Sequence, residues 1–194
     1  MSEQTGRRER KKAATRQAIA NTALGLFLER GYDAVGIREV AQAADVAVTT
    51  VFAHFASKEA LVFDRDQGLQ DRLIAAVTDR APDRAAPDAL RAEVHVIVRD
   101  FVVSSDTPFW RLVASSPDLR EYEARMWARH ADALAVAIAG DFGRVEVGAT
   151  DRALARYVLD VVPLSRDAPD PPAAVDELMD LVAAAWGAAL SRKS

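Results

Sequence analysis

The chain has 194 residues, contains no cysteine and carries a formal net charge of −4 at pH 7. Without cysteine it can form neither a disulfide framework nor a thiolate metal site. Its longest apolar run, Ala133 to Ala139, is far too short to span a bilayer. The basic N-terminus lacks the hydrophobic segment of a secretory signal, so we expect a cytoplasmic protein with no membrane partner.

The charge is distributed unevenly along the chain. Residues 1–20 hold six Lys or Arg against two Asp or Glu, whereas residues 61–194 hold sixteen against twenty-two. A basic end on an acidic body suits a protein that meets DNA at one end, although a solvated charged tail has the same composition. Residues 1–14 have no apolar face. We predict a mobile arm there, with cations that reach phosphates or a minor groove, unless some of these residues extend the first helix.

The stretch from Thr15 to Leu61 is predicted to form three helical segments and the start of a fourth. Apolar residues recur at helical spacing in each segment. Gly31 follows the first segment, where a C-cap needs a positive φ, and Asp45 follows the second. Ser57 is the predicted N-cap of the fourth helix. Two short helices joined by a tight turn and braced by a longer one describe a helix-turn-helix, whose second helix enters a major groove.

A dense set of residues in this stretch has the spacing of a known family. The matching residues are Leu26-Phe27, Glu29-Arg30-Gly31-Tyr32, Ile37, Val40-Ala41, Val46, Val51-Phe52, His54-Phe55 and Ser57-Lys58-Glu59-Ala60-Leu61. With them the stretch resembles the DNA-binding domain of the TetR family of transcriptional regulators. The resemblance implies a DNA-binding domain over residues 1–60, with the helix-turn-helix at about 36–55, and a helical regulatory and dimerisation domain over 61–194.

The chain departs from the family pattern mainly at the helix caps. Val35 and Gly36 stand where the family usually has two hydroxyl residues, which predicts a weaker start to the second helix. Asp45 replaces the turn glycine and tolerates positive φ better than most residues. Ala47 replaces a capping serine, at a cost of about 1 kcal/mol. Phe52 lacks the usual aromatic hydroxyl, which removes one candidate hydrogen bond to a phosphate.

Two threonines in the third predicted helix are candidate DNA contacts. Thr49 and Thr50 are small hydroxyl residues on the side of the helix opposite Val51 and Phe55. They can therefore bond phosphates or base edges without a long side chain intervening. Surface threonines without a role are the alternative.

Four further residues complete the predicted DNA-binding set. Val48 and Phe52 can contact a thymine methyl group, and a core role is the alternative for Phe52. The resemblance implies that His54 and Lys58 approach the DNA backbone. Lys58 also lies at a predicted helix N-terminus, where backbone N–H groups favour a phosphate.

Beyond Leu61 the apolar spacing stays helical and no alternating strand pattern occurs. We therefore predict an all-α protein, with an N-terminal three-helix helix-turn-helix domain and a C-terminal helical domain for ligand binding and dimerisation. The helices are predicted from Ser57 to about Arg80, from an Asp88 cap, over Phe109–Ala114, from Pro117 to Gly140, from about Thr150 to Pro163, and after Pro172.

The last predicted helix has apolar residues in near-perfect i, i+3, i+4, i+7 register. The resemblance implies that the last two helices pair with the same helices of a second subunit. We expect Val182, which lies on a regular stripe with Leu178 and Trp186, at the centre of this homodimer contact, with an ordinary core helix as the alternative.

Aromatic residues cluster in the middle segments of the acidic body. Together with one His and one Met they can line a pocket for a largely apolar ligand, although an ordinary core is the alternative. The candidates are His95, Phe101, Phe109, Trp110, Tyr122, Met126, Trp127 and Tyr157.

Motifs for catalysis are absent from the sequence, and His54, His95 and His130 lack metal-ligand spacing. We expect no enzyme activity, no metal and no cofactor. The resemblance implies a ligand-responsive regulator, which we take to be a repressor released from a palindromic operator by a small, largely apolar molecule. The alternatives are a helical small-molecule-binding protein or enzyme with a vestigial helix-turn-helix, and a ligand-independent DNA-binding protein.

Overall fold

The structure, a computed structural model, describes residues 2–64, 66–100 and 108–191. Within these ranges it contains ten α-helices and no strand, which confirms the predicted all-α class. In chain order they are α1 (Ser2–Arg30), α2 (Ile37–Ala43), α3 (Val48–His54), α4 (Glu59–Val62), α5 (Asp66–Thr78), α6 (Ala86–Val98), α7 (Pro108–Ser115), α8 (Pro117–Asp141), α9 (Ala149–Arg166) and α10 (Pro171–Ser191). None of the described helices is both long enough and apolar enough to cross a membrane.

The chain divides into two compact units. The first holds residues 1–65 and 107–122, and the second holds residues 66–106 and 123–194. In the first unit, α1 packs against α2, α4 and α7, and α2 packs against α3. The division into domains over residues 1–60 and 61–194 stays a prediction.

The core of the first unit forms on the apolar faces of α1, α2 and α3. The α1 stripe of Ile19, Ala23 and Phe27 is fully buried, as its helical spacing predicts. Val40 of α2 and Val51 of α3 are buried with it. These short helices therefore gain their stability from packing, since an isolated seven-residue helix is too short to persist in water.

The helix ends in this unit follow the predicted backbone signals. Gly31, just after α1, has φ 89°, and Asp45, between α2 and α3, has φ 53°. The N–H of Gly36 donates to the Glu39 carboxylate over 2.9 Å, so Glu39 supplies one half of a capping box for α2. Ala47 provides no side-chain cap for α3, as the sequence indicates.

The prediction of a mobile arm over residues 1–14 is corrected by the structure, in which α1 begins at Ser2. The alternative prediction is the correct one, because these residues extend the first helix. Residues 7–14 are exposed around the whole circumference of the helix. Long, straight-chain Arg and Lys side chains favour helix, which accounts for the continuation of α1 without a core to pack against.

The second unit is a helical bundle around an aliphatic core. In it, α10 packs against α9 and α6, and α6 packs against α5 and α9. The Phe142 ring, just after α8, meets Trp186 of α10 edge-on at 5.2 Å between ring centres. The most deeply buried residues of this core include Leu90, Val94, Leu134, Ile138, Leu154, Val158, Val175 and Met179.

Three predicted helix bounds in the body are wrong. The helix expected from Ser57 to Arg80 is two helices, because the backbone leaves helical geometry at Phe63 (φ −102°, ψ 41°). The helix expected to start at an Asp88 cap starts at Ala86, since Pro87 suits a first turn. The expected stop near Pro163 does not occur, and α9 runs on to Arg166, held by buried residues on both sides of the proline.

The expected position of Val182 and Trp186 at a subunit contact is also corrected. Their side chains are 2% and 3% exposed within a single chain, so both belong to the core of their own protomer. The large apolar residues exposed on α10 are instead Leu181 and Leu190. The stripe read from the sequence is therefore the inward face of the helix.

Candidate nucleic-acid interface

The two faces of α3 differ sharply in burial. Val51 is buried, and Phe55, just after the helix, is 2% exposed. On the other side Thr49 is exposed, and Phe52 is 56% exposed, which excludes a core role for Phe52. Thr50 is half-buried, as is Val48. The helix therefore presents a polar and aromatic surface while its opposite face anchors it to the core.

A tight turn sets α3 against α2. The N–H of Ala44 donates to the carbonyl of Val40 over 2.9 Å, and the N–H of Val46 reaches back to Ala41 over 3.0 Å. Asp45 between them is in the left-handed region. This is the bonding of a helix C-cap, which ends α2, and α3 begins after four intervening residues.

Arg16 of α1 holds the C-terminal end of α3. Its Nη1 donates to the main-chain carbonyl of His54, and its Nε donates to Asp64 Oδ1 over 2.7 Å. The guanidinium also lies 4.4 Å from the centre of the Phe55 ring. A cation that bonds the last carbonyl of a helix opposes the partial negative charge there.

Sequence reasoning did not single out Arg16. Helical spacing could have identified it. Arg16 precedes Ile19, Ala23 and Phe27 by three, seven and eleven residues, so it lies on the same face of α1 as this buried stripe. A charged residue on such a stripe needs a partner, and here the partners are a carbonyl, a carboxylate and a ring.

Lys58, predicted to approach the DNA backbone, has an internal partner in the structure. Its ammonium donates to the main-chain carbonyl of Tyr32 over 2.7 Å and lies 4.0 Å from the centre of the Tyr32 ring. The Tyr32 hydroxyl donates in turn to Glu59 over 2.7 Å. Burial, and then this bond to Glu59, raise the pKa of the Tyr32 phenol above its usual value, so it stays a donor. Lys58 remains half-exposed, and its role toward DNA stays a prediction.

His54 is the last residue of α3 and is half-buried. Its Nδ1 is buried and has no hydrogen-bond partner among the residues that the structure describes. The ring lies beside Phe55, with 6.4 Å between the ring centres. The predicted roles of His54 and of the other α3 residues in DNA contact stay predictions.

Three of the predicted ligand residues, Phe109, Trp110 and Tyr122, lie in the first unit. Phe109 meets the Phe63 ring edge-on at 6.1 Å between ring centres, and Tyr122 stacks on Phe63 at 5.3 Å. Phe109 also meets Trp110 edge-on. These rings form a cluster next to the point where α4 ends. Phe101, another predicted ligand residue, lies outside the described residues.

Four predicted ligand residues lie in the second unit. His95 Nε2 lies 2.9 Å from Asp176 Oδ1, which joins α6 to α10. Met126 is buried, whereas Tyr157 is 54% exposed on α9. The indole N–H of Trp127 donates to Glu123 over 3.4 Å. A role in ligand binding stays a prediction for each of them.

The described part of the chain contains no group of three or more His, Cys, Asp or Glu placed to hold a metal ion. The arrangement of α2, the turn and α3 is that of a helix-turn-helix, the unit that DNA-binding proteins insert into a major groove. The class defined by this fold is therefore a helix-turn-helix DNA-binding protein.

Comparison with known proteins supports the assignment to helix-turn-helix DNA-binding proteins. The model of the family described as bacterial regulatory proteins, tetR family, matches residues 19–64. Residues 19–64 are therefore similar to the DNA-binding domain of the TetR family of transcriptional regulators.

Individual relatives are similar over part of their length. The HTH-type transcriptional regulator TcmR of Streptomyces glaucescens is 35% identical over 91 residues, which cover 45% of this chain and 40% of TcmR. The HTH-type transcriptional regulator RutR of Escherichia coli (strain K12) is 29% identical over 121 residues, which cover 60% of this chain and 57% of RutR. The match thus spans less than two thirds of either relative.

A solved structure extends the likeness of the fold to most of the chain. The TetR family repressor AlkX from Dietzia sp. strain DQ12-45-1b superposes with a TM-score of 0.59 at 18% identity. The superposition covers 89% of this chain and 95% of AlkX. At this identity the likeness concerns the fold alone.

Proposed function

We propose that this protein is a transcriptional repressor that binds a palindromic operator as a homodimer and is released by a small, largely apolar molecule. The observation that carries the proposal is the two-faced burial of α3, with Val51 and Phe55 in the core and Thr49 and Phe52 toward solvent. The relatives are named as transcriptional regulators, which favours regulation over catalysis. A protein that binds chromosomal DNA in this way acts in the cytoplasm of a bacterium.

In the proposed complex the N-terminal part of α3 reads bases. Thr49 and Thr50 bond base edges or phosphates, and Val48 and Phe52 contact thymine methyl groups. These residues carry little charge, so sequence discrimination rather than raw affinity depends on them. Lys58 contributes a phosphate contact that is independent of base sequence.

The proposed dimer seam lies on α9 and α10. Large apolar side chains are exposed on both helices, and Leu181 of α10 is 65% exposed. Ala184 and Ala188 follow Leu181 at three and seven residues, so small side chains continue the same stripe. The corresponding exposed residues of α9 are Tyr157 and Leu164, again seven apart. In a twofold-symmetric dimer the same surface of each subunit faces the other, so one contact would cover both stripes.

Release by an effector requires that the effector bind the DNA-incompetent state more tightly than the DNA-bound state. In the dimer the two α3 helices must lie about 34–36 Å apart to enter successive major grooves. For release, the effector must favour a state in which this spacing no longer matches successive major grooves.

Selection of binding sites from a pool of random duplexes tests the DNA-binding function. We expect enrichment of one palindrome by the wild-type chain and loss of that enrichment in the double variant Thr49→Ala, Thr50→Ala. The variant Thr150→Ala removes an exposed threonine from α9 and should select the same palindrome as the wild type. Absence of any enriched sequence, or an unchanged palindrome in the double variant, would contradict the proposal.

A further inference from the structure

The C-terminal end of α3 is fixed by a polar anchor that its buried face does not provide. Arg16 Nη1 donates to the main-chain carbonyl of His54, the last residue of the helix. At the other end, Ala47 provides no side-chain cap. The two buried side chains, Val51 and Phe55, are four residues apart and so lie on one face. The bond to Arg16 therefore restrains α3 at a point where side-chain packing alone does not.

Asp64, two residues after α4, fixes the guanidinium of Arg16 in turn. Its Oδ1 accepts a hydrogen bond from Arg16 Nε over 2.7 Å. The guanidinium is planar and rigid, so a bond that holds Nε also sets the direction in which Nη1 points. Its central carbon lies 4.4 Å from the centre of the Phe55 ring, which restricts the tilt of the plane. Arg16 thus receives its orientation from a carboxylate that is distant in sequence.

The ion pair of Arg16 and Asp64 is partly shielded from solvent. The Asp64 side chain is 13% exposed, so salt screens this pair less than a pair at the surface. Arg16 is half-exposed, and an arginine without such a partner has many rotamers open to it. Asp64 therefore lowers the entropic cost of holding Arg16 on the His54 carbonyl. The two charges also cancel, so the pair adds no net charge beside α3.

A small displacement of α3 matters for the recognition of bases. The helix has seven residues and is only about 10 Å long, so a shift at its C-terminal end is carried to Thr49 and Thr50 near its start. Hydrogen bonds to base edges weaken when the donor–acceptor distance leaves about 2.7–3.2 Å. A shift of less than about 1 Å at the His54 end is therefore enough to impair recognition.

We propose that Asp64 is a positioning residue for DNA recognition, which orients Arg16 on the last carbonyl of α3 and so holds the base-reading side chains in place. The inference rests on the proposed function, and it gives Asp64 a role that needs no contact with DNA. Removal of Asp64 then has two opposite effects. The loss of a negative charge strengthens binding to every sequence, whereas the loss of the position weakens binding to the operator.

Asp64→Ala separates the two effects. We expect the affinity for the selected operator to fall about tenfold for each charge-assisted bond lost, while the affinity for random DNA stays the same or rises. Because no phosphate contact is lost, the slope of log K against log salt should keep its wild-type value. The matched control Asp33→Ala removes an exposed carboxylate from the same unit and should keep the wild-type ratio of operator affinity to random-DNA affinity.

Two further variants test the geometry of the pair. Asp64→Asn keeps an oxygen acceptor without the charge, so it should recover part of the operator preference that Asp64→Ala loses. Arg16→Lys keeps the charge but lacks the fixed fork of N–H groups, so it should lose the preference as Asp64→Ala does. The double variant of Arg16→Lys and Asp64→Ala should be no worse than either single variant, because both changes remove the same unit.

Thermal melts verify that each variant is folded, and if Asp64→Ala is unfolded, Asp64→Asn and Arg16→Lys carry the same test. A folded Asp64→Ala variant with an unchanged operator preference would overturn the proposal, and so would additive losses in the double variant. A steeper salt slope with tighter binding would also overturn it, because Arg16 would then be a phosphate contact that Asp64 restrains. If the wild type bound no duplex at all, the proposed function itself would fail, and this outcome is visible before any variant is made.

Discussion

The ammonium of Lys58 lies 2.7 Å from the carbonyl oxygen of Tyr32, so a residue at the start of α4 is fixed to the end of α1. The charge also lies over the Tyr32 ring, at 4.0 Å from its centre. The bond to Tyr32 uses one of the three N–H groups of the ammonium. Lys58 can therefore stabilise the unit and contact a phosphate at the same time.

Replacement of Lys58 by Met keeps the apolar stem and removes the charge. We expect a loss of about 1 kcal/mol in the free energy of unfolding, because the carbonyl bond and the ring contact are both lost. For a chain of this size that lowers the melting temperature by about 2–4 °C. The slope of log K against log salt should also fall by roughly one unit per protomer if Lys58 meets a phosphate. A stability loss with an unchanged slope would assign Lys58 a structural role only.

The two faces of α3 predict opposite consequences for two substitutions. Phe55→Ala removes a ring that is 2% exposed and should cost about 3–5 kcal/mol of stability. Thr50→Ala should leave thermal unfolding nearly unchanged and weaken binding to the selected operator more than binding to random DNA. Calorimetry and fluorescence anisotropy measure the two effects, and the reverse ranking would show that the faces are assigned wrongly.

Dimerisation should depend on Leu181 rather than on Val182. Leu181→Glu places like charges at the proposed twofold contact, and we expect monomers at micromolar concentration with helical content retained. Val182→Glu buries a carboxylate in the core of one protomer, so we expect it to unfold the chain. Sedimentation velocity and circular dichroism distinguish the two outcomes.

A matched control for Leu181→Glu is available in the loop after α8. Val145 is fully exposed there, so Val145→Glu makes the same apolar-to-acidic change away from both proposed stripes and should leave the dimer intact. A dimeric Leu181→Glu variant, or a monomeric Val145→Glu variant, would place the seam elsewhere.

The cap of α2 should make stability depend on pH. The Gly36 N–H, and then the Arg30 guanidinium, hold the pKa of the Glu39 carboxyl below its usual value of 4.5. Because the pKa is lower in the folded chain, ionised Glu39 adds stability above about pH 4.5, and this contribution is lost as the pH falls through the lowered pKa.

Thermal unfolding of Glu39→Gln measures this contribution. We expect the variant to melt below the wild type near pH 7 and to approach it between about pH 5 and pH 3. Glu146→Gln changes an exposed carboxylate in a loop and should follow the wild type at every pH. If the melting temperatures of Glu39→Gln and the wild type differed by the same amount at every pH, Glu39 would not be the residue that caps α2.

Much of the helix-turn-helix could be predicted because its signals are local. Positive φ at Gly31 and Asp45 follows from what those residues tolerate, and the buried face of α3 follows from the four-residue spacing of Val51 and Phe55. The outward position of Phe52 could not be predicted from local sequence, because an aromatic ring suits either side of a helix. Its exposure was decided by which neighbours α3 packs against.

The sequence by itself determined that this protein is all-α, where most of its helices lie, and that Thr15 to Leu61 has the pattern of a DNA-binding motif, because helix periodicity and capping act over a few residues. Only the tertiary structure decided that Val182 is buried in the core of its own protomer rather than at a contact with a second subunit. It also decided which groups bind Arg16 and Lys58, and that the helix after Ser57 breaks at Phe63. Each of these depends on groups that are distant in sequence, and a stripe of apolar residues is the same whether it faces its own core or a second subunit.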